Sequence, residues 1–411
     1  MSSKKNKNTY TRNNKVSVKQ NSEIIKIVLI VMVVVSVIIA SVTSIKAAVS
    51  KRKSDKTVRV AFYGLSQEYC DILKEKIPVE EGITLICEVV SDGAIDLGAL
   101  KQKYDMIFTW KGEVTDALED SAEEIPAKIT ESMPSSLRNK KCAPILLDNC
   151  ELAYSKEVVE KTGGNMPNSF PAFLNYINDA KAYTFSPFFL NGADDRVLIA
   201  FVGNIIEAIG GVDAYKALIQ ALRSGTPFDQ VFDQELTTTG LTLGKVLDSL
   251  KDWPGQGYTH PAWYNAQSND VIYFAEEGHT AVFFTFLHDH RKIAYNIISR
   301  YEAFLLPPAS STIEYGIIAP AMSVMLLSEN ANARRYINEF FTEETQAKLS
   351  EQTKLAPVHS RAQAYDRQAD DVRYWAASCP GGALSDLYLA AFQRNPAKFT
   401  EFAGKLRAMV K

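Results

Sequence analysis

The chain is poor in the residues that hold metals or staple small folds. Its 411 residues include five cysteines, Cys70, Cys87, Cys142, Cys150 and Cys379, and no Cys-x-x-Cys pair, so a zinc site is not expected. Cys70–Cys87 or Cys142–Cys150 could pair outside the cytoplasm; buried free thiols are the alternative. No Gly-x-Ser-x-Gly elbow and no Walker-type run occurs. Gly163-Gly164, Gly210-Gly211 and Gly381-Gly382 punctuate helix ends rather than cradle phosphates. There is no internal repeat and no low-complexity tract.

What is present begins with an uncharged run of 19 residues, Ile27 to Ile45. About 20 apolar residues make one membrane-spanning helix. The tail ahead of it carries Lys4, Lys5, Lys7, Arg12, Lys15 and Lys19 against Glu23, which favours a cytoplasmic N-terminus. Lys46, Lys51, Arg52, Lys53 and Lys56 follow, so the bias is slight. The run is long for a signal-peptide core and ends without a clean small-x-small site, so an uncleaved anchor is expected. A cleaved signal ending near Ser44, Ala47 or Ala48, and a buried soluble helix, are the alternatives. No cysteine follows until Cys70, against a lipoprotein signal.

Charge is uneven. Residues 1–56 hold twelve of the 45 basic and two of the 48 acidic residues, so the body, 57–411, carries about −13. An acidic body argues against nucleic-acid binding. Its 355 residues suggest two lobes rather than one core.

The body opens strand–helix–strand–helix–strand: Val58–Tyr63, Glu68–Lys76, Ile83–Val90, Leu97–Lys103 and Asp105–Trp110, the pattern of a parallel α/β sheet. Strands are expected at Ala143–Leu147, Glu151–Tyr154, Thr280–Phe286 and Ala303–Leu306, with a strand-rich stretch from Tyr315 to Met325. Helices are expected at Phe170–Ala180 (capped by Ser169), Val197–Ile209, Val212–Arg223, Gly244–Lys251, Asp270–Glu276, Asn332–Phe341 and Glu343–Gln352. Two more helices, near Ala383–Arg394 and Pro396–Met409, finish the chain. Phe185 to Asp195 reads as an aromatic loop.

Five stretches, in order, resemble the extracellular solute-binding proteins of ABC importers, in the sugar-type family that includes maltose-binding protein. Asp105-Met-Ile-Phe-Thr-Trp110 resembles a strand ending in a ligand-facing aromatic. Leu152-Ala-Tyr-Ser-Lys-Glu157 is similar to the "Leu/Ile-Tyr-Asn-Lys-Asp" opening of a second lobe, and Gly163-Gly-Asn-Met-Pro-Asn-Ser-Phe170 to the turn that follows it. Phe274-x-x-Glu-Gly-His-Thr-Ala-Val282 resembles "Phe-x-x-Gly-x-Ala-Ala-Met". Tyr336-Ile-Asn-Glu-Phe-Phe-Thr-Glu-Glu-Thr-Gln346, closed by Leu355-Ala-Pro-Val358, resembles a helix pair. Departures are the missing lipobox cysteine, Ser-Lys-Glu for Asn-Lys-Asp, and Thr285-Phe286-Leu287-His288 where a Trp often stands.

The resemblance implies a two-lobed α/β fold of the periplasmic-binding-protein type (type II) behind one N-terminal transmembrane helix. It divides the chain into a basic tail (1–23), an anchor (24–45), a linker (46–56), lobe one (57–147 plus 313–356) and lobe two (148–312 plus 357–411). Hinge crossings are expected near Leu147–Asn149, Pro307–Tyr315 and Leu355–Val358. It implies a monomer at the outer face of the membrane that captures a solute and hands it to an ABC permease, without a cofactor. A membrane-anchored sensor and a glycan-acting enzyme are the alternatives. Aromatic loops favour a carbohydrate; the acidic body leaves a cationic solute open.

Candidate ligand contacts follow from residue type and position. Trp110 ends a buried strand, where its ring would stack on a sugar face or fill the core. Ser66 and Gln67 leave the first strand at the same sheet end, and either bond ligand or cap a helix. Asp148 lies in the link between two strands. Phe188, Asn191, Asp194 and Arg196 share the aromatic loop, with Asp194 equally suited to cap the next helix. Trp263 belongs to an aromatic cluster with Trp253, Tyr258 and Tyr264. His288, at the cleft mouth, is preferred as a ligand contact over a metal site formed with His290. Asp194 and Glu235 are the only imagined glycosidase pair.

Overall fold

The computed structural model describes residues 56–411. The tail, the anchor and the linker up to residue 55 lie outside the described residues. Two sheets organise the body. The first has six strands in the order β11-β4-β10-β3-β1-β2, with β1 Thr57–Tyr63, β2 Thr84–Val90, β3 Met106–Trp110, β4 Ala143–Leu147, β10 Ala321–Leu326 and β11 Ala356–Pro357. The sheet is mixed rather than parallel: β1 and β3 are parallel, while β10 runs antiparallel to both β3 and β4.

Helices cover both faces of this sheet, so its central strands are apolar on both sides. Alternate side chains separate cleanly. Phe62 stacks on Phe108 at 5.4 Å, and Phe108 meets Phe340, on one face. Ala61, Tyr63 and Ile107 pack on the other, with Leu100 of helix α2 (Leu97–Lys103) and Leu118 of helix α3 (Glu113–Leu118). Helix α1, Gln67–Lys74, returns the chain from β1.

The second sheet orders β6 (Phe188–Leu190), β7 (Val282–Phe286), β5 (Cys150–Ser155) and β8 (Tyr301–Phe304). Its core is aromatic: Phe188 stacks on Phe201 at 4.7 Å and meets Trp253 edge-on, and Phe201 meets Phe284. Helix α4, Phe170–Ala180, and helix α5, Asp195–Arg223, pack against it. Helix α5 is long and apolar enough to cross a membrane, but it is largely buried inside the protein. Its two expected halves are separated by a kink at Gly211, where φ is +74° and a Cβ would strike the Glu314 carbonyl.

The chain crosses between the sheets three times. Asp148 and Asn149, both fully buried, join β4 to β5. Residues 305–316 lead from β8 to the hinge strand β9 (Ile317–Ile318). The third crossing departs from expectation. Residues 357–411 are divided: helix α7, Arg367–Ser378, absent from the sequence reading, is capped by Asp366 and buries Ala369, Val372 and Ala376 in the first core. The return therefore runs through residues 379–386 instead of Leu355–Val358, and only helices α8 (Leu387–Ala391) and α9 (Pro396–Val410) join the second core. The second and third crossings pair as a parallel ribbon, β9 with β12 (Ala383–Leu384).

Other expectations shift locally. The aromatic loop contains β6, because Phe188 to Leu190 bond alongside β7. His288-Asp-His290 falls in a short helix, α6 (Leu287–His290), so the two rings do not share a strand face, and among the described residues no group of three or more ligands could hold a metal. All five cysteines are free, which removes both expected pairings.

Glu207 of α5 ties the second lobe to the hinge. It is 5% exposed, and its Oε1 accepts the Gly316 N–H at 2.6 Å. Burial pushes its carboxyl up to about 7 from an ordinary 4.5, against the lowering effect of that hydrogen bond. A carboxyl raised on folding keeps its proton in the native state while the unfolded chain releases it. Stability should therefore fall as pH rises from about 4.5 to 7 and level off above, by a total on the order of 3 kcal/mol. Glu207→Gln should flatten that slope and raise the melting temperature at pH 8, as read by calorimetry across pH.

Candidate functional site

The parallel pair β1 and β3 delivers its carboxyl ends to one edge of the first sheet, where loops of such sheets bind ligands. Trp110 closes β3 there, 5% exposed, with Tyr69 of α1 edge-on at 6.1 Å. Asp92 leaves β2 close by, its carboxylate packed over Gly64. From the opposite side come Arg196 in the first turn of α5, Phe286 at the end of β7 and His288 just beyond it, and Asp386 and Tyr388 at the start of α8.

Arg196 is the centre. Its guanidinium lies 5.0 Å from the Phe286 ring centroid and 5.9 Å from those of Trp110 and Tyr388. Nη2 donates to Asp386 Oδ2 at 2.8 Å. Burial works against the guanidinium charge, but Asp386, and then Asp148, hold its pKa above the usual value. Nε is buried without a hydrogen-bond partner among the described residues. Tyr388 Oη donates to Asp92 Oδ2 at 2.5 Å and so joins the two lobes. Burial pushes the Asp92 carboxyl up, moderated by Tyr388 and Arg196.

Asp148 and His288 form the second pair. Oδ2 faces His288 Nδ1 at 2.6 Å, and Oδ1 accepts the backbone N–H groups of Asn149 and His288. Burial opposes both charges. Even so, the Asp148 carboxyl lies below its ordinary range, drawn down by His288 and Arg196, and the His288 ring lies above its own, raised by Asp148.

The lobes touch closely around this centre. Gln393, fully buried, donates to Thr109 Oγ1 at 3.1 Å and accepts the Val114 N–H. The Arg394 N–H donates to Glu113 Oε2 at 2.9 Å. Gly112 permits the approach: a Cβ there would lie 2.2 Å from the Leu389 carbonyl oxygen.

Four sequence candidates thus meet, namely Trp110, Asp148, Arg196 and His288. The others do not join them. Ser66 accepts the Tyr69 N–H as the cap of α1, and Gln67 donates to Asp71; both are exposed at the end of that helix. Asp194 caps α5, accepting from the backbone of Arg196 and Val197. Phe188 and Trp263 are fully buried in the second core, which removes them from any ligand surface. Asn191 lines a separate cavity of about 90 Å³ with Thr285 and Lys292. Sequence reasoning passed over Tyr69, Asp92, Phe286, Asp386 and Tyr388. Asp386 carried a readable signal, an aspartate ahead of a Leu-Tyr-Leu helix start.

No family model and no curated protein matches the chain. Solved structures do. The bacterial solute receptor AcbH, which prefers β-D-galactopyranose exclusively, superposes with a TM-score of 0.67 at 11% identity, covering 86% of this chain and 96% of its own. The putative binding protein MsmE of Bacillus subtilis, in an open conformation, gives 0.69 at 12% identity, covering 86% and 93%. Apo RafE of Streptococcus pneumoniae gives 0.59 at 14% identity, covering 86% and 97%. The chain has the two-lobed solute-binding fold. In this fold's terms, the Arg196 centre lies in the cleft between the lobes, and the three crossings form the hinge beside it.

The Asp148–His288 pair predicts a pH signature. A raised histidine stabilises fully below its ordinary 6.5, and the effect is lost as pH climbs through its higher folded value. A depressed aspartate stabilises above its ordinary 3.8, and the effect is lost only as acid reaches its lower folded value. The pair is therefore strongest between about pH 4 and 6.5. His288→Ala leaves a buried carboxylate unpaired and should cost about 3 kcal/mol at pH 5.5, measured by urea denaturation. The cost should shrink at pH 9.

Proposed function

We propose that this chain is the extracytoplasmic solute-capturing component of an ABC importer, that its solute is a saccharide, and that it binds without turning its ligand over. The observation that carries this reading is the convergence of ring faces and hydrogen-bonding groups from two lobes on one cleft. Trp110 and Tyr69 stand on one wall; Phe286, Tyr388 and Arg196 stand on the other. Aromatic faces suit the C–H surfaces of a sugar, and Asp92, Arg196 and His288 suit its hydroxyls, with the buried Asp148 orienting His288. The galactose preference of AcbH points the same way.

Capture works by hinge closure. Rotation about the three crossings parts the walls and frees the ring faces; closure over a sugar replaces some contacts now made to Arg196 with contacts to the ligand. A solute that binds both walls favours the closed form by its differential affinity. Binding without turnover is supported by how the carboxylates are engaged. Asp148 is held by His288, Asp386 by Arg196, and Asp194 by the cap of α5. In this reading the run at 24–45 tethers a monomeric receptor to the outer face of the membrane, where it serves a permease partner.

The test is a thermal-shift screen of the chain against neutral mono- and oligosaccharides, amino acids and polyamines, followed by calorimetry. A ligand of the native state raises the melting temperature by mass action. One saccharide should bind at one-to-one stoichiometry, and Trp110→Ala should weaken it by roughly tenfold to a hundredfold, about 1.4 to 2.8 kcal/mol. Binding confined to another solute class, or indifferent to Trp110, would overturn the proposal.

A further inference from the structure

A second concavity lies on the other side of α8 from the Arg196 centre. Its volume is about 420 Å³. Tyr388 turns toward Arg196, whereas Ala390 lines this cavity, and the contact of Leu389 with Gly112 stands beside it. Both lobes and the hinge build it. Lys111 and Asp116 come from the loop and helix after β3, Lys216 and Arg223 from the second half of α5, and Leu384 from hinge strand β12.

Its charge runs against the rest of the body. Arg223 bonds Asp116 across the lobes at 2.8 Å and also donates to the Ala390 carbonyl. That pair is neutral. The ammonium groups of Lys111 and Lys216 have no ion-pair or hydrogen-bond partner among the described residues. The cavity therefore carries two uncompensated positive charges in a body of about −13. Concave surfaces of one sign concentrate their field on a ligand of the other. Leu384 and Ile219 add an apolar wall, and a cavity of a few hundred Å³ suits a small ligand.

We infer that this cavity is a second ligand site, separate from the cleft centre, and that it takes an anionic sugar, a uronate or a sugar phosphate. Its lysines meet the carboxylate or phosphate, and Leu384 and Ile219 meet the C–H face of the ring. A ligand there touches both lobes and the hinge, so it biases the same opening equilibrium as the cleft ligand. The inference does not depend on which solute the cleft takes.

Calorimetry on the whole chain tests it with galacturonate and glucose 6-phosphate as probes, and with galactose and inorganic phosphate as neutral and bare-anion controls. At least one anionic sugar should bind one-to-one and at least tenfold more tightly than either control. The double variant Lys111→Gln/Lys216→Gln should lose that affinity at least tenfold. If the double variant melts well below the parent protein, the exposed Lys216→Glu alone carries the test and should weaken binding. No heat with either anionic sugar, equal binding of inorganic phosphate or galactose, or affinity indifferent to the lysines would each overturn the inference.

Discussion

The arrangement of the cleft depends on one partly buried cation. Arg196 holds its guanidinium partly withdrawn from water among three aromatic rings, and a charge so placed favours a close counter-charge. Asp386 supplies it at 2.8 Å. That contact fixes the first turn of α5 against the start of α8, and α8 is the element that reaches across to the first lobe. Tyr388 then meets Asp92, Leu389 meets Gly112, and Gln393 just beyond the helix meets Thr109. A partly buried ion pair thus sets the position of a helix, and the helix sets how close the lobes come.

The hinge is built on the opposite economy, with backbone pairing instead of charge. The β9–β12 ribbon joins two of the three crossings by main-chain hydrogen bonds, which ties them into one strap. Glu207 holds that strap to α5 through the Gly316 amide, next to the kink at Gly211. The first crossing, Asp148-Asn149, is shortest and wholly buried, and it carries the carboxylate that meets His288. In the proposed mechanism, closure is coupled to the site at two places: through Asp148 in a crossing itself, and through Asp386 at the end of another.

Much of the fold was legible because its signals are local. The buried strands β1, β3 and β4, the capped helix at Phe170–Ala180 and the double glycine in α5 all stand where composition and spacing put them. Helix α7 was missed because its sequence, Arg-Gln-Ala-Asp-Asp-Val-Arg-Tyr, is largely polar and shows small apolar residues to the core; its Asp366 cap was the available clue. Strand direction was not legible either, since β10 joins the first sheet from a distant part of the chain. At the site, Trp110, Asp148, Arg196 and His288 were readable as strand-end and loop residues of suitable chemistry. Phe188 and Trp263 misled because an aromatic residue near a strand end serves a core as well as a ligand, and burial decides between them. Asp386 and Tyr388 escaped because they sit nearly two hundred residues from Arg196, and only the return through 379–386 brings them together.

The central claim is that the two walls around Arg196 move apart and together about the hinge under the control of a bound saccharide. Spin labels at Lys101→Cys on the first lobe and Lys398→Cys on the second, with Cys87→Ser to silence the half-buried thiol, report that motion by pulsed electron–electron distance measurement. The account predicts two distance populations without ligand and a single, shorter one at saturating saccharide. An unchanged distribution in the presence of a saccharide shown by calorimetry to be bound would contradict it.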